Sequence, residues 1–475
     1  MIAIPLFEAF VAIGARTSKP ISPLDYFTHV TQSSKDAGAG SLFVALTGKQ
    51  VDGHDFVREA QANGAVAAVV ERRVEKIDIP QLVVASSTEA LGNLGKIWKG
   101  RLSLPLVAVT GSVGKTSTKE MIAHVLSKKY ATHRSRGNFN NQLGVPLELL
   151  RLTRDHQISV VEFAMRGPNE IGYLSRLARP TIGVITNIGI SHIERLGSLK
   201  NIARAKAEIF QGIDSEGTVV LNADDGEYEY LKEFASCKTV SYGESNSSDY
   251  RISDVQLNSR GLPAFRINGV PISMTNCAGK HQALNAGAAY AVADLLGMRH
   301  EDIAEKISTF SPPDRRGQIS EAACKAILLD NTYNASQDSI KASLHTLSDL
   351  RTKGKRAIAV IGEMLELGKY SEEAHRHVGQ AVKARGIDVL VTVGEYGKFI
   401  GEAAELEHWQ HFSTASLAAN FMLREALEDD VILIQGSRGV SLEIVVASLQ
   451  MGKLVALSDI APPETSTLVV RRPFH

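Results

Sequence analysis

The sequence predicts an α/β fold built on parallel sheets in three domains, and three observations carry that reading. Short continuous apolar runs alternate with amphipathic stretches: Leu104 to Val109, Ser159 to Glu162, Ile182 to Thr186, Thr218 to Leu221, Ala326 to Leu329, Ala357 to Ile361, Asp388 to Val393 and Val431 to Ile434. A strand covered on both faces reads as such a run, whereas a strand with one wet face alternates. The length of 475 residues divides into about three domains at ~100–200 residues each. Hydrophobic residues make up 44% and charged residues 22%, ordinary globular usage that argues against extended disorder.

Domain boundaries follow the breaks in this pattern. The first segment, 1–102, ends ahead of Pro105 and the strand that follows it. The second, 103–312, ends at Ser311 to Gly317, where two prolines and a glycine interrupt the periodicity. The third runs over 313–460. Residues 461–475 hold few core-like side chains and read as a tail.

Charge and cysteine usage exclude several classes. Lysine plus arginine number 52 and aspartate plus glutamate 52, so no global field draws the chain to nucleic acid. Three cysteines, Cys237, Cys277 and Cys324, lie too far apart in sequence for a CxxC pair. That spacing fits a reducing compartment rather than a disulfide or structural zinc framework. The apolar start contains Pro5 and Glu8 and lacks a basic leader, so no signal peptide is expected. No apolar run approaches ~18 residues, so no membrane insertion is expected either. The expectation is a cytoplasmic protein.

The most informative stretch is Leu104 to Tyr130, where a strand enters a glycine loop and an amphipathic helix leaves it. The loop reads Thr110-Gly111-Ser112-Val113-Gly114-Lys115-Thr116-Ser117. Backbone N–H groups of such a loop and of the helix start bind phosphate oxygens. Lys115 would neutralise the β- and γ-phosphates of ATP, and the Thr116 hydroxyl would ligate Mg²⁺. The common spacing of this motif puts glycine at position 109, where this chain has Val109; its first glycine is Gly111.

Lys206 is the sharpest inference from periodicity. Leu199, Ile202, Ile209 and Phe210 form an apolar helical stripe, and Lys206 falls on it, four residues after Ile202 and three before Ile209. Burial there would lower its pKa and favour the neutral amine, which can take up CO₂ as a carbamate.

The short loop TGSVGKTSTKE resembles the nucleotide loop of the Mur ligases, ATP-dependent amide-bond ligases to which the folylpolyglutamate synthases are related. Further matches follow in order: Asn138 to Pro146, Val160 to Met165, Thr186 to His192, Ala205 to Ile209, Gly279 to Asn285 and Asp330 to Ala335. The resemblance spans roughly residues 30 to 445. It implies a small N-terminal α/β domain for a UDP-sugar substrate, a central P-loop ATPase domain and a C-terminal Rossmann-like domain that closes on ATP. Four features are similar to one branch of the family: SxGKTxxKE, NxYNA followed by Ser339, Gly362 to Gly368 followed by His375, and Gly436-Ser437-Arg438-Gly439. That branch joins D-Ala-D-Ala to UDP-N-acetylmuramoyl-tripeptide, and the resemblance implies the same substrates here; a monomer is the expectation. Other members of the family, a tripeptide-forming enzyme or a folylpolyglutamate synthase, remain alternatives, as does a P-loop ATPase with a degenerate substrate site.

The resemblance also implies roles. Glu162 and Thr116 would ligate one Mg²⁺. His192 and a carbamylated Lys206 would support a second. Asn285 would contact adenine, with His281 nearby. An arginine at the third domain's entry would reach the ATP phosphates, and Arg315 matches the family pattern better than Arg316. Tyr333 and Asn334 would face ATP. Ser33, Asn140, Asn141, Ser437 and Arg438 would hold substrate, the last two taking the dipeptide's carboxylate. The sequence departs from the family at Gln32-Ser33-Ser34, Asn331 and Gln435, where Asp-Ser-Arg, Asp and Lys are usual.

Overall fold

The computed structural model describes residues 3–48, 51–191, 193–351 and 355–460. The expected tail at 461–475 and His192 lie outside the described residues. Every apolar run named above forms a parallel strand within a residue or two of its expected span.

The central sheet has nine strands. From one edge their order is Val270–Ser273, Pro263–Ile267, Tyr250–Leu257, Lys238–Gly243, Thr218–Asn222, Ile182–Ile185, Leu106–Thr110, Ile158–Glu162 and Thr132–Arg134. The last seven of these run parallel; the first three form antiparallel pairs that extend one edge. Leu106–Thr110 has Ile158–Glu162 on one side and Ile182–Ile185 on the other. The chain therefore reverses its winding there, and ligands of open α/β sheets gather outside the carboxyl ends of strands at such a point.

Two helices over this sheet explain how closely its parts approach. Helix Lys115–Leu126 packs beside helix His281–Leu295. The latter is rich in buried alanines, including Ala286, Ala289 and Ala293. A Cβ at Gly287 would come within 2.8 Å of Ile252 Cδ1, so small residues let this helix lie down on the sheet.

The C-terminal sheet has six strands, ordered Gln318–Glu321, Ile327–Asn331, Val431–Gln435, Ala357–Gly362, Val389–Val393 and Trp409–Phe412. Only the first is antiparallel to its neighbour. The N-terminal sheet has five strands, with Arg16–Thr17 antiparallel on its edge and four parallel strands between Gln81–Val83 and His29–Thr31. Helix Ser87–Gly100 joins it to the central unit. Trp98 Nε1 donates to Leu152 O at 2.8 Å, and a Cβ at Gly95 would sit 3.1 Å from Pro146 Cα. One apolar cluster runs through both units.

Candidate active site

The phosphate loop follows strand Leu106–Thr110 at the switch point. Gly114 has φ 82 and precedes helix Lys115–Leu126, whose start carries no side-chain cap. The first N–H groups of a helix have no internal partner, so this uncapped end presents them, with the helix dipole, to an anion. Not all of the loop serves in this way. The N–H of Ser112 donates to Asn187 O at 2.9 Å, and that of Val113 to Asn187 Oδ1 at 2.9 Å. Sequence reasoning named both as ATP contacts, but their amides are occupied by the 186–190 strand exit. The available donors begin at Gly114 and continue through Lys115, Thr116 and Ser117.

Gly111 is fixed by a close approach. At φ 151, a Cβ there would stand 1.9 Å from Thr186 Oγ1. Gly111→Ala is expected to cost about 1–3 kcal/mol of stability and to weaken ATP binding, read from chemical denaturation and nucleotide titration of one preparation. Unchanged values in both would refute the close fit.

Beside the loop, hydroxyl, amide and cationic side chains surround one carboxylate. Glu162 ends its strand and is 2% exposed. Its Oε2 accepts from Thr116 Oγ1 at 2.7 Å and its Oε1 from Asn140 Nδ2 at 2.8 Å. The fully buried Lys119 donates to Ser135 O at 2.6 Å and pairs with Glu120 at 2.7 Å. Burial alone would raise the Glu162 pKa, but Lys119, Lys115 and Arg316, with the Thr116 hydrogen bond, hold it below the usual carboxylate range. Glu162 is therefore ionised at neutral pH.

Lys115 turns its ammonium onto Gly111 O at 2.9 Å and Ser112 O at 3.1 Å. Lys206, on helix Leu199–Ala207, donates to the same Gly111 O at 2.8 Å and is 2% exposed. The apolar stripe thus buries Lys206 as expected. Burial, reinforced by repulsion from Lys115, pushes its pKa well below the ordinary lysine value.

This donor set suits Mg²⁺. Among the described residues no group of three or more His, Cys, Asp or Glu is arranged to hold a metal. Mg²⁺ needs no such cage, since it binds through one or two carboxylates, water and substrate phosphates. The ionised Glu162 and the Thr116 hydroxyl, side by side at the phosphate loop, provide the protein's hard oxygen ligands.

A cavity of about 360 Å³ opens between the carboxyl ends of the central and C-terminal sheets, within the ~300–1,000 Å³ range of ligand pockets. Gly114, Ser117, Asn285 and His281 line one side, and Arg315, Tyr333 and Asn334 the other. Asn285 lies four residues into the helix that begins at His281. Asn285 ties two helices, accepting from Thr118 Oγ1 at 3.0 Å and donating to Gln282 Oε1 at 3.0 Å. Burial lowers the His281 pKa to about 4, so its ring is neutral at pH 7.

The two adjacent arginines diverge. Arg315 has φ 62 and pairs with Glu443 at 3.1 Å, on the C-terminal side. Arg316 stacks over the Tyr333 ring at 3.9 Å from its centroid, and its charge is felt by both Lys115 and Glu162. The Arg316 charge thus reaches the phosphate loop, and Arg315, the arginine expected at the ATP phosphates, lines the same cavity.

Three expected substrate residues have structural work. Ser33 Oγ accepts from Asp36 N at 3.3 Å and caps a short turn. Asn141 Oδ1 accepts from Leu143 N at 3.0 Å and Gly144 N at 2.9 Å, fixing the start of helix Gly144–Leu149. Ser437 Oγ accepts from Leu365 N at 3.0 Å. Arg438 is exposed and lies 5.8 Å from the Tyr333 centroid. Sequence reasoning missed the contributions of Lys119, Ser135 and Asn187. The KE pair after the loop and the asparagine in Thr186 to His192 were visible, but their partners are distant in sequence.

Comparison with known proteins agrees with this arrangement. Three family models match: "Mur ligase family, catalytic domain" at residues 26–96, "Mur ligase middle domain" at 109–293 and "Mur ligase, glutamate ligase domain" at 315–438. The UDP-N-acetylmuramoyl-tripeptide–D-alanyl-D-alanine ligase of Bacillus subtilis is 35% identical over 418 residues, covering 86% of this chain and 90% of that protein. The Escherichia coli enzyme of the same name is 34% identical over 428 residues, covering 89% and 93%. A MurF crystal structure from Acinetobacter baumannii superposes with TM-score 0.88 at 30% identity, covering 95% of this chain and 99% of that one. The MurF ligase of Thermotoga maritima in complex with ADP gives TM-score 0.80 at 29% identity, covering 89% and 97%. Mur ligases are ATP-dependent and need Mg²⁺, the two ligands that the uncapped loop and the Thr116–Glu162 pair suit. With that likeness extending along nearly the whole length, the chain belongs to the Mur ligase family.

Proposed function

We propose that this enzyme joins D-alanyl-D-alanine to UDP-N-acetylmuramoyl-tripeptide, forming the pentapeptide precursor of peptidoglycan with release of ADP and phosphate. The observation that carries the chemistry is the Thr116–Glu162 hydrogen bond at 2.7 Å beside the phosphate loop. The choice of substrates rests on the curated relatives of that name.

A carboxylate cannot be displaced by an amine directly, because its oxygen is a poor leaving group. A tripeptide carboxylate oxygen attacks the γ-phosphorus of ATP, the bond to the β-phosphate oxygen breaks, and ADP departs. The dipeptide amine then attacks the acyl phosphate carbon, phosphate leaves with the bonding pair, and the amine loses a proton. Such transfer depends on positioning and charge neutralisation. Gly114 to Ser117 amides and Lys115 hold the phosphates, and Arg316, more than Arg315, approaches them from the other wall. Asn285, Tyr333 and Asn334 position the nucleotide. Thr116 and Glu162 would hold Mg²⁺, which neutralises phosphate charge. A second ion would lie near His192 and a carbamylated Lys206. Arg438 would take the dipeptide carboxylate, while Ser437 holds the backbone next to it. Closure over the cleft keeps water from the acyl phosphate.

In this reading segment 1–102 binds the UDP end near Ser33, 103–312 binds ATP, and 313–460 brings the amine. The enzyme works as a monomer in the cytoplasm without nucleic acid. Among the described residues no helix is long and apolar enough to cross a membrane.

ADP release measured with each substrate alone and in combination tests the proposal. Turnover is expected only with both the UDP-tripeptide and D-Ala-D-Ala. Turnover with a single amino acid or glutamate instead would assign another ligase reaction, and turnover independent of any acceptor would leave an ATPase.

A further inference from the structure

Asp338 is absent from the roles assigned above, yet it joins the C-terminal unit to the phosphate loop. It lies in the first turn of helix Gln337–Leu350, whose start is already capped by Ser336 and Ser339. Its carboxylate is therefore not needed as a cap. Instead Oδ2 accepts from Ile190 N at 3.1 Å, across the cleft. Ile190 belongs to the segment leaving strand Ile182–Ile185, and that segment is bonded to the loop at several points. Ser112 Oγ accepts from Gly189 N at 2.8 Å and donates to Gly189 O at 3.1 Å. Asn187 exchanges bonds of 2.9 and 3.0 Å with Val113, and Thr186 Oγ1 donates to Val113 O at 2.6 Å.

We infer that Asp338 is a positioning residue, a latch through which the C-terminal unit, docked over ATP, sets the geometry of the phosphate loop. The fit is tight: a Cβ at Gly189 would lie 2.3 Å from Asp338 Oδ2 and 3.3 Å from Ser112 Cβ. Gly189 does not have a positive φ, so the backbone accepts alanine there and the conflict is with the Asp338 carboxylate. The latch rests on the proposed ATP chemistry, but it predicts nucleotide affinity even without peptide substrates.

Four full-length variants test it: Asp338→Ala, Asp338→Asn, Gly189→Ala and the Gly189→Ala/Asp338→Ala double variant. Affinity for a fluorescent ADP analogue, kcat/KM for ATP and the thermal midpoint are measured for each. Asp338→Ala is expected to lower kcat/KM for ATP about 10- to 100-fold, the worth of one hydrogen bond to a charged acceptor. Asp338→Asn, whose amide oxygen still accepts, should remain within about fivefold of the parent. Gly189→Ala should fall below Asp338→Ala, and the double variant should recover to the Asp338→Ala level with midpoints unchanged. A double variant no better than Gly189→Ala, or Asn no better than Ala, overturns the latch. If the parent fails to use D-Ala-D-Ala, the proposed reaction fails, while the order of the four variants in nucleotide affinity still decides the latch.

Discussion

Lys115→Ala is expected to reduce ATP turnover about 10³-fold, the upper end of what removing one preorganised charge donor does in a phosphoryl or acyl transfer site. The loss follows from geometry. The ammonium reaches Gly111 O and Ser112 O from the start of the helix, so it stands at the inner curve of the loop where the phosphates enter. Burial lowers its pKa, but the ionised Glu162 acts in the opposite direction, and an approaching phosphate adds to that attraction. Among the described residues no other cation stands in the same place: Lys206 lies deeper and Arg316 across the cleft. Stability should change by only about 1 kcal/mol, the net worth of the part-buried hydrogen bonds that Lys115 makes to these carbonyls. ADP release and thermal unfolding of one preparation separate the two effects. Turnover within tenfold of the parent would show that the loop amides alone hold the phosphates.

The sequence revealed features that depend on local periodicity and hid those that depend on which chain segments meet. The parallel strands were visible because burial on both faces makes them continuous apolar runs, as in Val431–Gln435, buried throughout. The apolar stripe on Leu199–Ala207 marked Lys206 as buried because its neighbours at three- and four-residue spacing are apolar. The strand Pro263–Ile267, next to the sheet edge, was passed over although its burial alternates strictly. The start of helix His281–Leu295 has no side-chain cap, so no capping residue marks it in the sequence. The Ser437 side chain accepts from Leu365 N, 72 residues away, a bond that nothing in its own segment announces. Arg315 and Arg316 are adjacent in sequence and line one cavity, and only their partners, Glu443 for Arg315 and the Tyr333 ring for Arg316, tell them apart. Asp338 was invisible as a cross-cleft contact, since its partner is 148 residues away.

Lys206→Ala should lose activity about 10²- to 10³-fold, and the parent enzyme should lose activity in CO₂-stripped buffer and regain it with bicarbonate. The argument begins with two lysines on one oxygen. Lys115 and Lys206 both donate to Gly111 O, at 2.9 and 2.8 Å. Two ammonium groups so close repel, and burial together with Lys115 holds the pKa of the deeper one well below the ordinary lysine value, which favours its neutral form. The neutral amine has a free electron pair in a site shielded from water. On the proposed carbamylation its nitrogen would attack CO₂, a C–N bond would form and one proton would be released, leaving a carbamate anion. That product would reverse the electrostatics: repulsion between two cations would become attraction between Lys115 and an anion, and the site would gain a further hard oxygen ligand for metal. Lys206→Arg should not restore activity, because guanidinium remains protonated and does not form the carbamate. A ¹³C resonance from labelled bicarbonate, present in the parent and absent from Lys206→Ala, would identify the adduct. Full activity of Lys206→Ala with no bicarbonate dependence would leave Lys206 a buried structural amine hydrogen-bonded to the loop.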